Sequence, residues 1–151
     1  APWLMKAPLD LTKCDGKPLL VLFEQKVCAV CDEMHAEGFP RPEVAALLQR
    51  YRAARVDIAS AEALKTPNGK SLAMRDWARQ LKIIYTPSFV FFDAGGREVF
   101  RVEGYLRPFH LASSLDYVAS GAYRKQPEFQ RFIEARAAAR REKGEKIELM
   151  K

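Results

Sequence analysis

A chain of 151 residues is long enough to bury a hydrophobic core and short enough that one domain is the default expectation. Hydrophobic residues make up 48% and charged residues 29%, which excludes a wholly disordered or fibrous chain, and no apolar run approaches the ~20 residues needed to span a bilayer. The formal net charge is +6, and residues 124–151 hold nine Lys/Arg interleaved with five Asp/Glu; that pattern reads as a solvated helix face, so no nucleic-acid partner is expected.

Ala1-Pro2-Trp3-Leu4 lacks a basic region followed by a long apolar stretch, so any signal peptide is expected to have been removed already. Asp15-Gly16-Lys17-Pro18 is a turn signal, and Leu19-Leu20-Val21-Leu22-Phe23 after it reads as a buried central strand. Residues 29–37 can form a helix, interrupted by Gly38 and Pro40, and Pro42 opens a second helical stretch to about Arg50. Ala53 to Ile58 reads as a second strand, parallel to the first across this helical crossover. Thr66-Pro67-Asn68-Gly69 marks a loop, and Ser71 is expected to N-cap a helix reaching about Leu81. Ser88 to Asp93 and Glu98 to Glu103, separated by Ala94-Gly95-Gly96-Arg97, read as a hairpin. Pro108 starts a helix ending near Ser120-Gly121. Pro127 starts a last helix, with Phe129, Phe132, Ile133 and Ala137 on one face; Gly144 ends it and leaves a short polar tail.

The chemistry concentrates in Cys28-Ala29-Val30-Cys31, which follows the first strand and opens the first helix. Three cysteines are too few for a disulfide scaffold at this length, so the close pair calls for a chemical reason. A thiol at the start of a helix meets unpaired N–H groups and the positive end of the helix dipole, which makes Cys28 the easier to ionise and the candidate nucleophile. Cys31, one turn later, can attack a mixed disulfide on Cys28 and release reduced substrate, so the pair cycles without a bound cofactor. Cys14, before Asp15-Gly16, reads as a small free hydrophobe at the end of an N-terminal helical stretch.

The segments FEQKVCAVC, IYTPSFVFFD and GREVFRVEGY, in this order, resemble thioredoxin-like proteins over roughly Pro18 to Gly121. More narrowly, FEQ…C-x-x-C-x-x-MH, Gly-Tyr-Leu-x-Pro-Phe-His at 104–110 and Tyr123-Arg124-x-x-Pro resemble SoxW-like bacterial thioredoxins. The resemblance implies an α/β thioredoxin fold, a central mixed sheet of about four to five strands flanked by helices, with an extra C-terminal helix. It divides the chain into an N-terminal extension (1–17), a thioredoxin-like domain (18–123) and a basic C-terminal helix and tail (124–151) packed on that domain. It also implies a cis peptide before Pro87, with Thr86 and Pro87 positioning an extended substrate strand beside the cysteines. The implied activity is thiol:disulfide oxidoreduction in the periplasm, on a disulfide-containing protein or sulfur compound, with electrons from a membrane thiol carrier. Val27 and Ala29-Val30 replace the Trp and Gly-Pro of ordinary thioredoxins, which leaves the redox potential open; Thr86 before Pro87 resembles the reducing and isomerase branches. Leu22 stands where ordinary thioredoxins carry a buried acid, and Glu24, the nearest acid, is a candidate to replace it in proton transfer.

Two other readings follow from the same residues. His35 lies at i+4 from Cys31, so Cys28, Cys31 and His35 could together hold Cu(I) in a metal-binding or metal-delivery protein. A fold retained as a binding scaffold without turnover is the third, with Ala29-Val30 as its one hint. Tyr85, Phe89, Phe91, Phe92 and Phe100 read as strand core rather than a stacking platform.

Overall fold

The computed structural model describes residues 1–13 and 15–144. Its elements are β1 (Leu19–Glu24), α1 (Ala29–Glu33) continued by a π-helical turn (Met34–Gly38), α2 (Pro42–Leu48), β2 (Arg52–Asp57), β3 (Ala63–Lys65), β4 (Ser71–Ala73), α3 (Met74–Gln80), β5 (Ser88–Phe92), β6 (Glu98–Glu103), α4 (Pro108–Ala119), α5 (Ala122–Lys125) and α6 (Phe129–Glu142). A four-stranded sheet in the order β2-β1-β5-β6 organises them, with β1 parallel to β2 and the other pairs antiparallel. Among the described residues, no helix is long and apolar enough to cross a membrane.

Every residue of β1 is buried, as a continuous apolar run at the sheet centre demands. Successive side chains alternate between the faces. Leu20 and Leu22 meet Met34, Phe39, Leu111 and Leu115 beneath the helices that follow β1 and β6. Leu19, Val21 and Phe23 meet Met74 and Trp77 of α3, together with Leu9 and Leu11. Burying each large apolar side chain contributes about 1.5–3 kcal/mol, so this two-faced core supplies most of the driving force. This is the thioredoxin fold.

Three local expectations are corrected. Ser71 does not cap α3: it pairs with Lys65 in a two-stranded ribbon closed by the Thr66–Gly69 turn, and α3 starts at Met74. The orphan N–H groups at its start are met by backbone instead, Met74 N–H donating to the Glu62 carbonyl and Arg75 N–H to that of Ser60, both at 2.8–2.9 Å. Residues 1–13 form no helix. Pro2 and Pro8 disfavour one, and the segment runs as extended pieces bridged at Leu4–Ala53 and Asp10–Lys65, burying Leu9 and Leu11. Cys14 and the tail beyond Gly144 lie outside the described residues. Finally, a short helix, α5, precedes the last one, whose N-cap is Glu128 rather than a residue before Pro127.

The apolar face of α6 turns inward. Phe129 and Phe132 lie 5.0 and 4.9 Å from the Tyr117 ring, and Ile133 and Ala137 are buried. Arg136 donates to Asp116 at 3.2 Å, to the Ser113 hydroxyl at 3.1 Å and to Glu43, which also accepts from Arg140. Both guanidinium groups lie over the Phe109 ring. The two Arg side chains hold the Glu43 carboxyl below its ordinary range, Arg140 contributing most.

Candidate active site

The site assembles at the carboxyl end of β1. Residues 25–28 leave the sheet there, and Cys28, in extended backbone conformation, becomes the N-cap of α1. Its Sγ accepts the Cys31 N–H at 3.1 Å and its carbonyl accepts the Asp32 N–H at 3.0 Å, so the first turn is closed by the motif itself. Cys28 and Cys31 are joined as a disulfide with Cα atoms 5.2 Å apart. Cys28 is half-buried while Cys31 is 2% exposed. That asymmetry makes Cys28 the sulfur an incoming group can reach and Cys31 the one it cannot.

The second wall comes from the segment entering β5. Ser88 stands opposite Phe23 in the sheet, which brings Thr86 and Pro87 alongside residues 24 and 25 at the same sheet end. The Thr86–Pro87 peptide is cis. Two bonds fix the segment: the Gln25 side-chain amide donates to the Thr86 hydroxyl at 3.1 Å, and the Gly104 N–H donates to the Pro87 carbonyl at 2.8 Å. Gln25 was not singled out by the sequence, although it sits in the FEQ run; no spacing rule links it to a residue sixty-one positions later.

Several large apolar side chains in and beside these segments are exposed. Val27 is 94% exposed, Ile84 71% and Tyr85, expected in the strand core but lying before β5, 61%; the remaining exposed large hydrophobics among the described residues are Val30 and Tyr105. Val27 and Val30 flank the cysteines in sequence, and Ile84 and Tyr85 lead into Thr86.

Glu24 and His35 occupy the helix-covered side of the same end. By the alternation of β1, Glu24 shares a face with Leu20 and Leu22, and it is buried. Its Oε2 lies 2.7 Å from His35 Nε2, and Arg55 Nε is 4.0 Å from the other carboxylate oxygen. The π turn, in which the Phe39 N–H reaches back to the Met34 carbonyl at 2.9 Å, carries the imidazole between Trp3, stacked at 6.2 Å, and Phe39, edge-on at 4.9 Å. Of the residues named for Cu(I), His35 bonds Glu24 through Nε2 and the two sulfurs are joined to each other; no group of three or more His, Cys, Asp or Glu able to hold a metal ion is found among the described residues.

A parallel β–helix–β crossover, a second antiparallel pair and a Cys-x-x-Cys disulfide at the helix start define a thioredoxin-fold redox protein. The chain matches the thioredoxin-like domain family over residues 5–119, and belongs to it. A thioredoxin-fold protein from Helicobacter pylori superposes with a TM-score of 0.74 at 16% identity, covering 83% of this chain and 87% of that one. A thioredoxin from Thermus thermophilus superposes with a TM-score of 0.53 at 29% identity, covering 69% and 75%. No curated protein sequence gives a significant match. In general class, the family and the joined cysteine pair make this chain a thiol:disulfide oxidoreductase.

Proposed function

We propose that the protein reduces disulfides in an exported, periplasmic setting, as a SoxW-like thioredoxin acting on a disulfide-containing protein or sulfur compound and recharged by a membrane thiol carrier. The observation that carries the reading is the unequal exposure of the two joined cysteines, with exposed apolar side chains beside them in the sequence. Reduced Cys28 attacks a substrate sulfur, forming a mixed disulfide and releasing the first substrate thiolate. Cys31 then attacks Cys28 Sγ, closes the Cys28–Cys31 disulfide and releases the second. Thr86 and Pro87 offer the backbone edge along which the substrate strand lies, and Glu24 assists the proton transfers. The absence of a His between the cysteines and the Thr86-Pro87 step favour reduction over oxidation.

Equilibration of the pair against glutathione tests the direction. A potential near −270 mV, about that of thioredoxin, is expected, and one near −120 mV, about that of a strong oxidant, contradicts the reductase reading. Cys31→Ser is expected to accumulate mixed disulfides that name the substrate, while Cys28→Ser is expected to trap none.

A further inference from the structure

Resolution of the mixed disulfide needs Cys31 as a thiolate, yet Cys31 is 2% exposed, so bulk water is poorly placed to take its proton. Leu22, two residues before Glu24 on the same face of β1, is buried and apolar and can take no proton. Glu24 is buried on the correct face, but its Oε2 is occupied by His35 Nε2 at 2.7 Å. A carboxylate bonded to one imidazole nitrogen fixes the ring: Nε2 carries the hydrogen and Nδ1 is left as the basic atom. Among the described residues, no hydrogen bond engages Nδ1.

His35 stands four positions after Cys31 on the continuous α1 and π segment. Residues so spaced are neighbours on one helix face, with Cβ atoms about 5–6 Å apart, and helical side chains lean toward the preceding turn. Trp3 and Phe39 hold the ring from two sides, which fixes its orientation. Glu24 and His35 also line a groove of about 1080 Å3, together with Asp32, Lys26, Arg55, Asp57, Glu62 and Lys6, through which a proton can pass to solvent. These are also the charged groups whose state bears on the imidazole.

We infer that Cys31, His35 and Glu24 form a nucleophile, base and orienting group for the resolving half of the reaction, His35 accepting the Cys31 proton and Glu24 acting as its positioning residue. The inference rests on the oxidoreductase reading and refines the part given to Glu24. In the mixed-disulfide state the Cys31 S–H proton moves to His35 Nδ1. The thiolate electron pair forms the Cys31–Cys28 bond, and the Cys28–substrate S–S bond breaks onto the substrate sulfur. His35 then returns its proton to the departing thiolate or to the groove. One disulfide is consumed, one is formed, and no further oxidant or reductant is required.

The test is single-turnover reduction of a peptide disulfide by the fully reduced protein across about pH 5 to 8, the window in which an unperturbed imidazole changes charge. Mixed disulfide and closed Cys28–Cys31 disulfide are quantified separately after acid quench, and Cys28 alkylation reports the first step. His35→Gln is expected to slow closure about a hundredfold at neutral pH, with mixed disulfide accumulating and the pH profile flattened, while Cys28 alkylation is unchanged. Glu24→Gln, which keeps the side-chain shape, is expected to slow closure about tenfold, since the imidazole remains but is no longer held in one tautomer. His35→Ala is expected to recover with added imidazole. Closure rates and pH profiles equal to the parent in a folded His35→Gln overturn the inference, and should the His35 variants fail to fold, equality in Glu24→Gln does so. A parent protein that neither reduces the peptide disulfide nor closes its own Cys28–Cys31 disulfide refutes the oxidoreductase reading instead, so the two failures are distinguishable.

Discussion

Replacing Arg136 by Ala should loosen the docking of α6 without touching the redox site. The guanidinium is 12% exposed and serves three acceptors at once, Asp116, Ser113 and Glu43, while lying 5.2 Å from the Phe109 ring centre. The partner carboxylates are 41% and 31% exposed, so solvent screens both ion pairs to roughly 0.5 kcal/mol each. The hydrogen bond to Ser113, itself buried, adds about 1 kcal/mol, and the cation–π contact about 0.5–1 kcal/mol. The sum is about 2–3 kcal/mol, equivalent to a melting-temperature drop of about 5–10 °C in a domain of this size. Far-UV circular dichroism melts at neutral pH measure it, with Cys28 alkylation as a control expected to stay at the parent rate. The Glu43 contribution has a definite sign with pH. Its carboxyl is lowered from 4.5 in the folded state, chiefly by Arg140 and secondarily by Arg136, so its stabilisation is complete above the unfolded value and fades as pH falls through the folded one. The penalty of Arg136→Ala should therefore shrink in acid. A drop of less than about 2 °C at neutral pH, or a penalty that grows on acidification, would show that Arg136 does not hold α6 in place.

Gln25→Ala removes the bond to Thr86 and should lower kcat/KM for a peptide disulfide about fivefold, the kinetic equivalent of roughly 1 kcal/mol, with little change in the melt. Lys82, just past the Leu81 C-cap of α3, has φ at +58°, where a Cβ is unfavourable; Lys82→Gly should raise the melting temperature by about 1–3 °C, corresponding to about 0.5–1 kcal/mol. Gly96 has φ at +86° and an added Cβ would stand 3.1 Å from the Pro67 carbonyl oxygen, so Gly96→Ala should cost about 1–2 kcal/mol in urea unfolding. Leu22→Ala, at a fully buried β1 position, should cost about 3–4 kcal/mol in the same assay.

Elements whose identity lies in a single run of residues were readable in advance. Leu19–Phe23 has no polar residue and must sit inside the sheet, and Pro108 can only open its helix. The Cys28 position was readable for the same reason, since strand, motif and helix are contiguous. The β3–β4 ribbon was not, because three-residue strands exist only through their partner and Ser71 carries an equally good cap signal. The Glu24–His35 pair lay between these extremes. The period of β1 places Glu24 on the side of Leu20 and Leu22, a sign of burial that was present, but the carboxylate's partner eleven residues away depends on a π turn that has no sequence signature. Arg136 and Glu43 are further still, ninety-three residues apart and united by the packing of three helices.

The bridge from Leu4 to Ala53 also bears on how the protein avoids its own kind. β2 is a terminal strand of the sheet, and an uncovered row of its N–H and C=O groups would be a template for another chain. The Met5 N–H bonds the Ala53 carbonyl at 2.8 Å, so the N-terminal segment blocks that row at Ala53, and Leu9 and Leu11 anchor it in the core. Proteolytic loss of residues 1–11 would expose pairing groups and apolar surface together, turning a shielded sheet margin into a site of self-association.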